Sequence, residues 1–239
     1  MKKFYVTTPI YYVNDKPHIG HAYTTIAADV ISRWHRMQGE DVYFLTGTDE
    51  NSQKNVEAAE AAGEKDIKKF IDKMSAIWSE TWDSLNLTND DFIRTTEKRH
   101  LKAVEKFFNA VNEKGDIYKG KYEGWYCTGC EAFVTENDLV DGKCPTHQTK
   151  VEKIKETNYF FKLTKYRDKL LKYIEENPDF IQPKTRRNEV VSYIKEFMTD
   201  VSISRESIKW GISLPIDNTQ VIYVWFDALI NYISALGYG

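Results

Sequence analysis

The sequence predicts an α/β fold interrupted by an inserted module that holds a metal, and three observations carry that reading. A strand-like run, a loop and a long helical pattern fill the first 39 residues and lead into a second strand-like run. The texture of the chain changes near Gly115. Three cysteines and a histidine then gather as Cys127, Cys130, Cys144 and His147.

Phe4 to Val13 is rich in aromatic and β-branched residues and reads as strand, and Asn14-Asp15-Lys16-Pro17 supplies turn chemistry. Ile26, Val30, Ile31, Trp34 and Met37 recur at spacings of three and four up to Gly39, the signature of an amphipathic helix with a stop signal. Asp41 to Thr46 reads as a short buried strand, with Gly47-Thr48-Asp49-Glu50 as the loop at its carboxyl end, completing a β-α-β unit. Two further helices follow, one marked by Ile67, Phe70, Ile71, Met74, Ile77, Trp78 and Trp82, the other by Leu101, Val104, Phe107, Phe108 and Val111. Phe92-Ile93-Arg94-Thr95 between them predicts a third strand.

Beyond Gly115, Tyr118, Tyr122, Trp125 and Tyr126 sit among glycines ahead of the cysteines, and Tyr159-Phe160-Phe161 follows them. Helical spacing over 166–176 and 186–197 is separated by Pro178 and Pro183, and strand character returns at Val201-Ser202-Ile203-Ser204. Val221 to Trp225 reads as a last strand and Phe226 to Leu236 as a last helix. The expected organisation is residues 1–114, an insertion over 115–215, and a resumed core over 216–239.

With 239 residues, 41% of them hydrophobic, the chain can bury a substantial core. A net charge of −3 excludes a global basic field for nucleic acid, and Lys150, Lys153, Lys155 and Arg186-Arg187 read as solvated surface. No apolar run approaches the ~20 residues that cross a bilayer, and Met1-Lys2-Lys3 leads into a strand, so a cytoplasmic protein without membrane contact is expected. Three clustered cysteines point to reduced thiols.

His18-Ile19-Gly20-His21 opens the first helix. Two histidines three apart at a helix start share a side, near unpaired backbone N–H groups and the positive end of the helix dipole. There they can donate to phosphate oxygens, and Gly20 lets a flat nucleotide approach the backbone. Plain capping residues are the competing reading; a metal pair lacks the neighbouring glutamate of metalloprotease helices. Cys127-Thr128-Gly129-Cys130 and Cys144-Pro145-Thr146-His147 form two ligand pairs that fill a tetrahedral shell, which predicts one structural zinc rather than a catalytic one. Buried free thiols or a Cys127–Cys130 redox pair would leave Cys144 and His147 without a purpose.

On these residues the chain resembles the class I aminoacyl-tRNA synthetases, and among them the methionyl-tRNA synthetases, over nearly its whole length. The resemblance rests on Tyr5 to Asn14, Pro17 to Thr24, Leu45 to Glu50, the zinc knuckle, and Tyr223-Val224-Trp225-Phe226-Asp227-Ala228-Leu229. It implies a Rossmann-like nucleotide-binding core carrying the His-Ile-Gly-His motif, with a connective-peptide insertion bearing the knuckle. It implies ATP-dependent activation of methionine, with Mg2+ accompanying the ATP, and transfer to methionine tRNA. His18, Gly20 and His21 would hold ATP, and both histidines would act catalytically by stabilising charge on the triphosphate. Asp49 would bind the substrate ammonium at the carboxyl edge of the sheet. Ile10, Tyr12, Trp225, Ala228 and Tyr232 would surround the thioether.

Two departures qualify the resemblance. The family usually has His-Gly after the Asp-Glu pair where this chain has Asn51-Ser52, so the loop after Asp49 is expected to differ in shape. No Lys-Met-Ser-Lys-Ser loop is present, and Lys73-Met74-Ser75 belongs to an apolar helix face. An amino-terminal fragment of a longer synthetase is expected, without the anticodon-binding domain. The alternative is a non-catalytic zinc-containing module, derived from a synthetase, that binds RNA or protein. A relative activating isoleucine, leucine, valine or cysteine is the other rival.

Overall fold

In the computed structural model, residues 1–127, 129, 130, 132–134 and 139–239 are described. The first sheet is parallel, and all its strands meet β3 (Asp41–Asp49): β1 (Lys3–Thr7) lies along 41–45, β2 (Tyr11–Tyr12) along 48–49, and β4 (Asp91–Arg94) along 45–48. The expected first strand is thus broken at Thr8-Pro9-Ile10 into two pieces that share one neighbour. Strand β3 runs three residues further than its hydrophobic run, carrying Asp49 to the end of the sheet.

Helix α1 (Ile19–Met37) packs against β3 and β1, and its orientation corrects the patterning argument. Its buried residues are Thr25, Ala28, Asp29 and Ser32, whereas Val30 and Trp34 are 59% and 56% exposed. Small and polar side chains let the helix lie close to the strands, and each polar one is satisfied. Thr25 donates to the His21 carbonyl and Ser32 to the Ala28 carbonyl. Asp29 accepts from the Thr88 amide and pairs with Arg33. The apolar stripe Ile26, Val30, Ile31, Trp34 and Met37 faces outward.

Helix α2 (Gln53–Ala61), which has no apolar stripe to announce it, leads to α3 (Ile67–Ser84), capped by the Asp66 carboxylate accepting from the amides of Lys68 and Lys69. Ile71, Met74, Trp78 and Trp82 of α3 bury against Tyr11 and Val13 in one core. Helix α4 (Lys98–Glu113) buries Ala103, Val104 and Phe108 in a second core with Ile203, Leu214, Ile222 and Ile230.

Past Gly115 the pairing becomes antiparallel. β5 (Ile117–Cys127) pairs with β7 (Glu152–Phe161) along ten residues, β6 (Ala132–Val134) flanks β5, and β8 (Val201–Ser202) flanks β7. Helices α5 (Arg167–Glu176) and α6 (Lys184–Glu196) pack on each other through Ile174 and Ile194. A third sheet joins β9 (Ser204–Arg205), β11 (Asp217–Ile222) and β10 (Ser213–Leu214). The expected division after residue 215 falls in the turn between β10 and β11.

The last strand expectation needs correction at Trp225. Strand β11 ends at Ile222, and Tyr223 caps α7 (Val224–Ala228), so Trp225 is helical; α8 (Asn231–Ser234) follows. No helix among the described residues is long and apolar enough to cross a membrane.

Candidate nucleotide and amino-acid site

His18 is the N-cap of α1, with extended backbone at φ −122°. Its Nδ1 accepts from the Gly20 amide at 3.1 Å, and His21 Nδ1 accepts from the His18 amide at 3.3 Å. The two rings stack with centroids 3.6 Å apart. An imidazole nitrogen that accepts a hydrogen bond carries no proton, so each neutral ring keeps its proton on Nε2. The capping role and the donor role therefore coexist: one nitrogen fixes the ring, the other is left to donate. His21 also packs on Tyr11 and Trp78 at 4.9 and 4.8 Å. Burial, with a smaller contribution from His18, holds its pKa below the usual imidazole value.

Gly20 has a more specific reason to be glycine than access for a base. A Cβ there would stand 3.0 Å from His18 Cε1 and 3.1 Å from its Nδ1, so any side chain would push on the capping ring. A cleft of about 430 Å3 lies beside this turn, lined by Ile10, Tyr12, Lys16, His18, His21 and Trp78 among others. Trp78 is fixed by its indole N–H donating to the Asp15 carbonyl at 2.9 Å.

Asp49 ends β3 directly opposite Tyr12 and is 5% exposed. The loop after it is pinned at almost every group. The Asp49 carbonyl accepts from Asn55, the Glu50 amide donates to Thr95 Oγ1, and the Glu50 carbonyl accepts from the Trp210 indole at 2.7 Å. The fully buried Glu50 carboxylate pairs with Arg94 at 2.7 Å, which also reaches Asp72. Ser52 needs no left-handed backbone: at φ −81° it caps α2, its Oγ accepting from the Lys54 amide at 3.0 Å.

Ala228 is buried, and its carbonyl accepts from Asn231 Nδ2 at 2.6 Å. The Tyr232 phenol sits near enough to Tyr11 and Asp49 that both add to the raising of its pKa, which is mainly due to burial. Trp225 stands apart from Ile10 and Tyr12: it is half exposed and lines a separate apolar cavity of about 380 Å3 with Phe107, Phe161, Phe226 and Leu229. Tyr11, Trp78, Asn51, Asp227 and Trp210 are the neighbours of this site that sequence reasoning did not assign to it. Trp78 read as ordinary helix core, and no local pattern distinguishes it.

The second constellation is the metal-ligating group. Cys127, Cys130 and Cys144 Sγ and His147 Nδ1 lie within 4.8 Å of one another. Cys130 Sγ is 3.5 Å from Cys144 Sγ and 3.2 Å from His147 Nδ1, while Cys127 and Cys144 are each 3.9 Å from that nitrogen. A tetrahedral zinc with Zn–S near 2.3 Å requires ligand–ligand edges of about 3.8 Å, so the donor set and its dimensions fit the ion. Gly129 belongs to this fit, because a Cβ there would stand 2.6 Å from the His147 ring. Thr128, inside the first ligand pair, lies outside the described residues.

A family model described as tRNA synthetases class I (M) matches residues 4–153 and 147–239. The methionine-tRNA ligase of Thermotoga maritima is 53% identical over 241 residues, covering 99% of this chain and 38% of the relative. That of Streptomyces coelicolor is 51% identical, covering 99% of this chain and 46% of the relative. Mycobacterium tuberculosis methionyl-tRNA synthetase in complex with methionyl-adenylate superposes with a TM-score of 0.95 at 44% identity, over 100% of this chain and 47% of that one. The apo form of that enzyme gives a TM-score of 0.82. The chain thus spans less than half the length of these relatives.

Proposed function

Because the chain belongs to the class I (M) family of tRNA synthetases, we propose that it is the amino-terminal catalytic part of a methionine-tRNA ligase. Such a ligase activates methionine with ATP and transfers the methionyl group to methionine tRNA in the cytoplasm, with the tRNA contacts largely outside this chain. The observation that carries the reading is the pair of cap-fixed histidines beside a 430 Å3 cleft, with Asp49 at the adjoining sheet end.

In the proposed reaction the ATP, accompanied by Mg2+, lies against the start of α1. Its phosphate oxygens accept from Nε2–H of His18 and His21. The methionine carboxylate attacks the α-phosphorus, and pyrophosphate leaves. A hydroxyl of the terminal tRNA adenosine then attacks the acyl carbon, releasing AMP. His21, whose pKa burial lowers, donates from Nε2 as a neutral ring. Asp49 binds the ammonium in a place where water competes poorly. Ile10, Tyr12, Ala228 and Tyr232 form the thioether wall. Trp225 joins it only by turning away from its apolar cavity.

The domain reading accompanies this proposal. Residues 1–114 form the first half of a Rossmann-like core, 115–215 a connective-peptide insertion, and 216–239 the start of the second half. Cys127, Cys130, Cys144 and His147 hold one zinc, which supplies folding energy to the insertion and takes no part in the chemistry. Pyrophosphate exchange into ATP, run with each of the twenty amino acids, tests the assignment. Exchange dependent on methionine is expected, slow in this chain and fast in any longer product of its gene. Dependence on a different amino acid overturns it.

A further inference from the structure

Asn51 and Asp227 come from opposite ends of the chain and meet in its interior. Asn51 is 7% exposed and Asp227 fully buried. Asn51 Nδ2 donates to Asp227 Oδ2 at 2.8 Å and to the Thr95 carbonyl at 3.3 Å, so both amide protons are used and the amide orientation is set by two acceptors. Asn51 is two residues after Asp49 on the pinned loop, and Asp227 lies in α7 between Trp225 and Ala228. Thr95 follows β4 directly.

We propose that this Asn51–Asp227 pair is a clasp that sets the distance between the two walls of the amino-acid pocket, making both of them positioning residues for methionine. The proposal deepens the function argued above and rests on it. Asp49 stands on one wall; Ala228 and Tyr232 stand on the other. The Asn51–Asp227 hydrogen bond joins these two walls directly. Burying a carboxylate is costly, and well-packed apolar groups would join a loop to a helix at less expense of stability. A directional hydrogen bond, unlike an apolar contact, fixes register. It transmits any shift of α7 to the loop that follows Asp49, and the tie to Thr95 anchors that loop beside the sheet.

The chemistry of the pair defines its own test. Asn51→Asp sets two carboxylates against each other, and Asn51→Ala removes the donor. Asp227→Asn alone keeps an oxygen acceptor, and the exchanged pair Asn51→Asp with Asp227→Asn restores an N–H···O bond in the opposite direction. Calorimetric titration of each variant with methionine and, separately, with ATP reads the effect.

We expect Asn51→Asp and Asn51→Ala to weaken methionine by about 10- to 100-fold, the range of coupling between contacting residues, with ATP affinity within about threefold of the parent. The exchanged pair should recover methionine affinity to within about fivefold. A purely structural tie would lower the melting temperature without separating the two ligands. Equal losses for both ligands, no loss for either, or failure of the exchanged pair to recover overturns the clasp. Absence of methionine binding by the parent overturns the pocket itself, and the clasp with it; binding by the parent with unchanged variants overturns the clasp alone.

Discussion

In the histidine cleft, the side chains that define the site are held by other groups: His18 and His21 by backbone amides, Trp78 by a carbonyl, the loop after Asp49 by Thr95, Trp210 and Asn55. In the Cys127 to His147 group, the ligands have mainly one another. Between residues 141 and 150 only Cys144 is buried, and among the described residues no hydrophobic core cluster includes a residue of the hairpin. The first region is held in place by packing and hydrogen bonds. The second is a donor set whose spacing fits a metal ion. Dry packing suits a site that must empty and refill; a permanent ligand suits a module too small to bury its own surface.

The strongest way to break this contrast is to remove the metal ligands. Structural zinc contributes apparent binding free energies of about 10–16 kcal/mol in small zinc modules. Cys144→Ser should therefore abolish stoichiometric zinc, read by atomic emission, and open the hairpin to protease. Methionine affinity should stay near the parent's, because none of the four ligands lines the cleft. A parallel loss of methionine binding would show that the two regions are coupled.

Next in size is Asp49→Ala. Removing one partner of a buried charge pair typically costs 2–5 kcal/mol, so calorimetry should find methionine weakened roughly a hundredfold or more. Zinc content should not change. An unaltered affinity would remove Asp49 from the ammonium site.

His100 sharpens the claim that the core region is held by dry packing. It is fully buried against Ser234 and its pKa falls to about 4, by burial first and then by the charge of Arg99. The unfolded chain protonates this residue near pH 6.5 and the folded chain only near 4. Stability is therefore complete above pH 6.5 and is lost as pH falls toward 4, by about 3 kcal/mol in total. Denaturant unfolding of the parent and of His100→Gln at pH 7 and pH 4.5 checks this; the variant should lose that part of the pH dependence.

The smallest expected effect is Gly20→Ala. The new methyl displaces the His18 ring, and overpacking of this kind costs roughly 1–3 kcal/mol. ATP should bind about tenfold more weakly while methionine is unaffected.

Motif and spacing made the chemistry of this chain more legible than its packing. The histidine pair, Asp49 and the four metal ligands are short, chemically specific groups, and the structure brings the four ligands together. The long helices α3 and α4 were legible because their apolar stripes face cores. Helix α1 was misread because a helix pressed against strands needs small side chains there, so its inward face is Thr25, Ala28, Asp29 and Ser32. Trp225 looked like strand because Val221 to Trp225 is β-branched and aromatic, yet pairing stops at Ile222, opposite the first residue of β9. Asn51, Trp78 and Trp210 were invisible as site residues because their roles depend on partners from 44 to 176 positions away.

The central claim is that the sheet end at Asp49, with Ile10, Tyr12, Ala228 and Tyr232 around it, is a preformed methionine pocket. Calorimetric titration of this chain with methionine, alongside isoleucine, leucine, valine and cysteine, tests it most directly. The account expects one methionine per chain and no saturable binding of the other four. Tighter binding of any of those four, or methionine binding that survives Asp49→Ala undiminished, would contradict it.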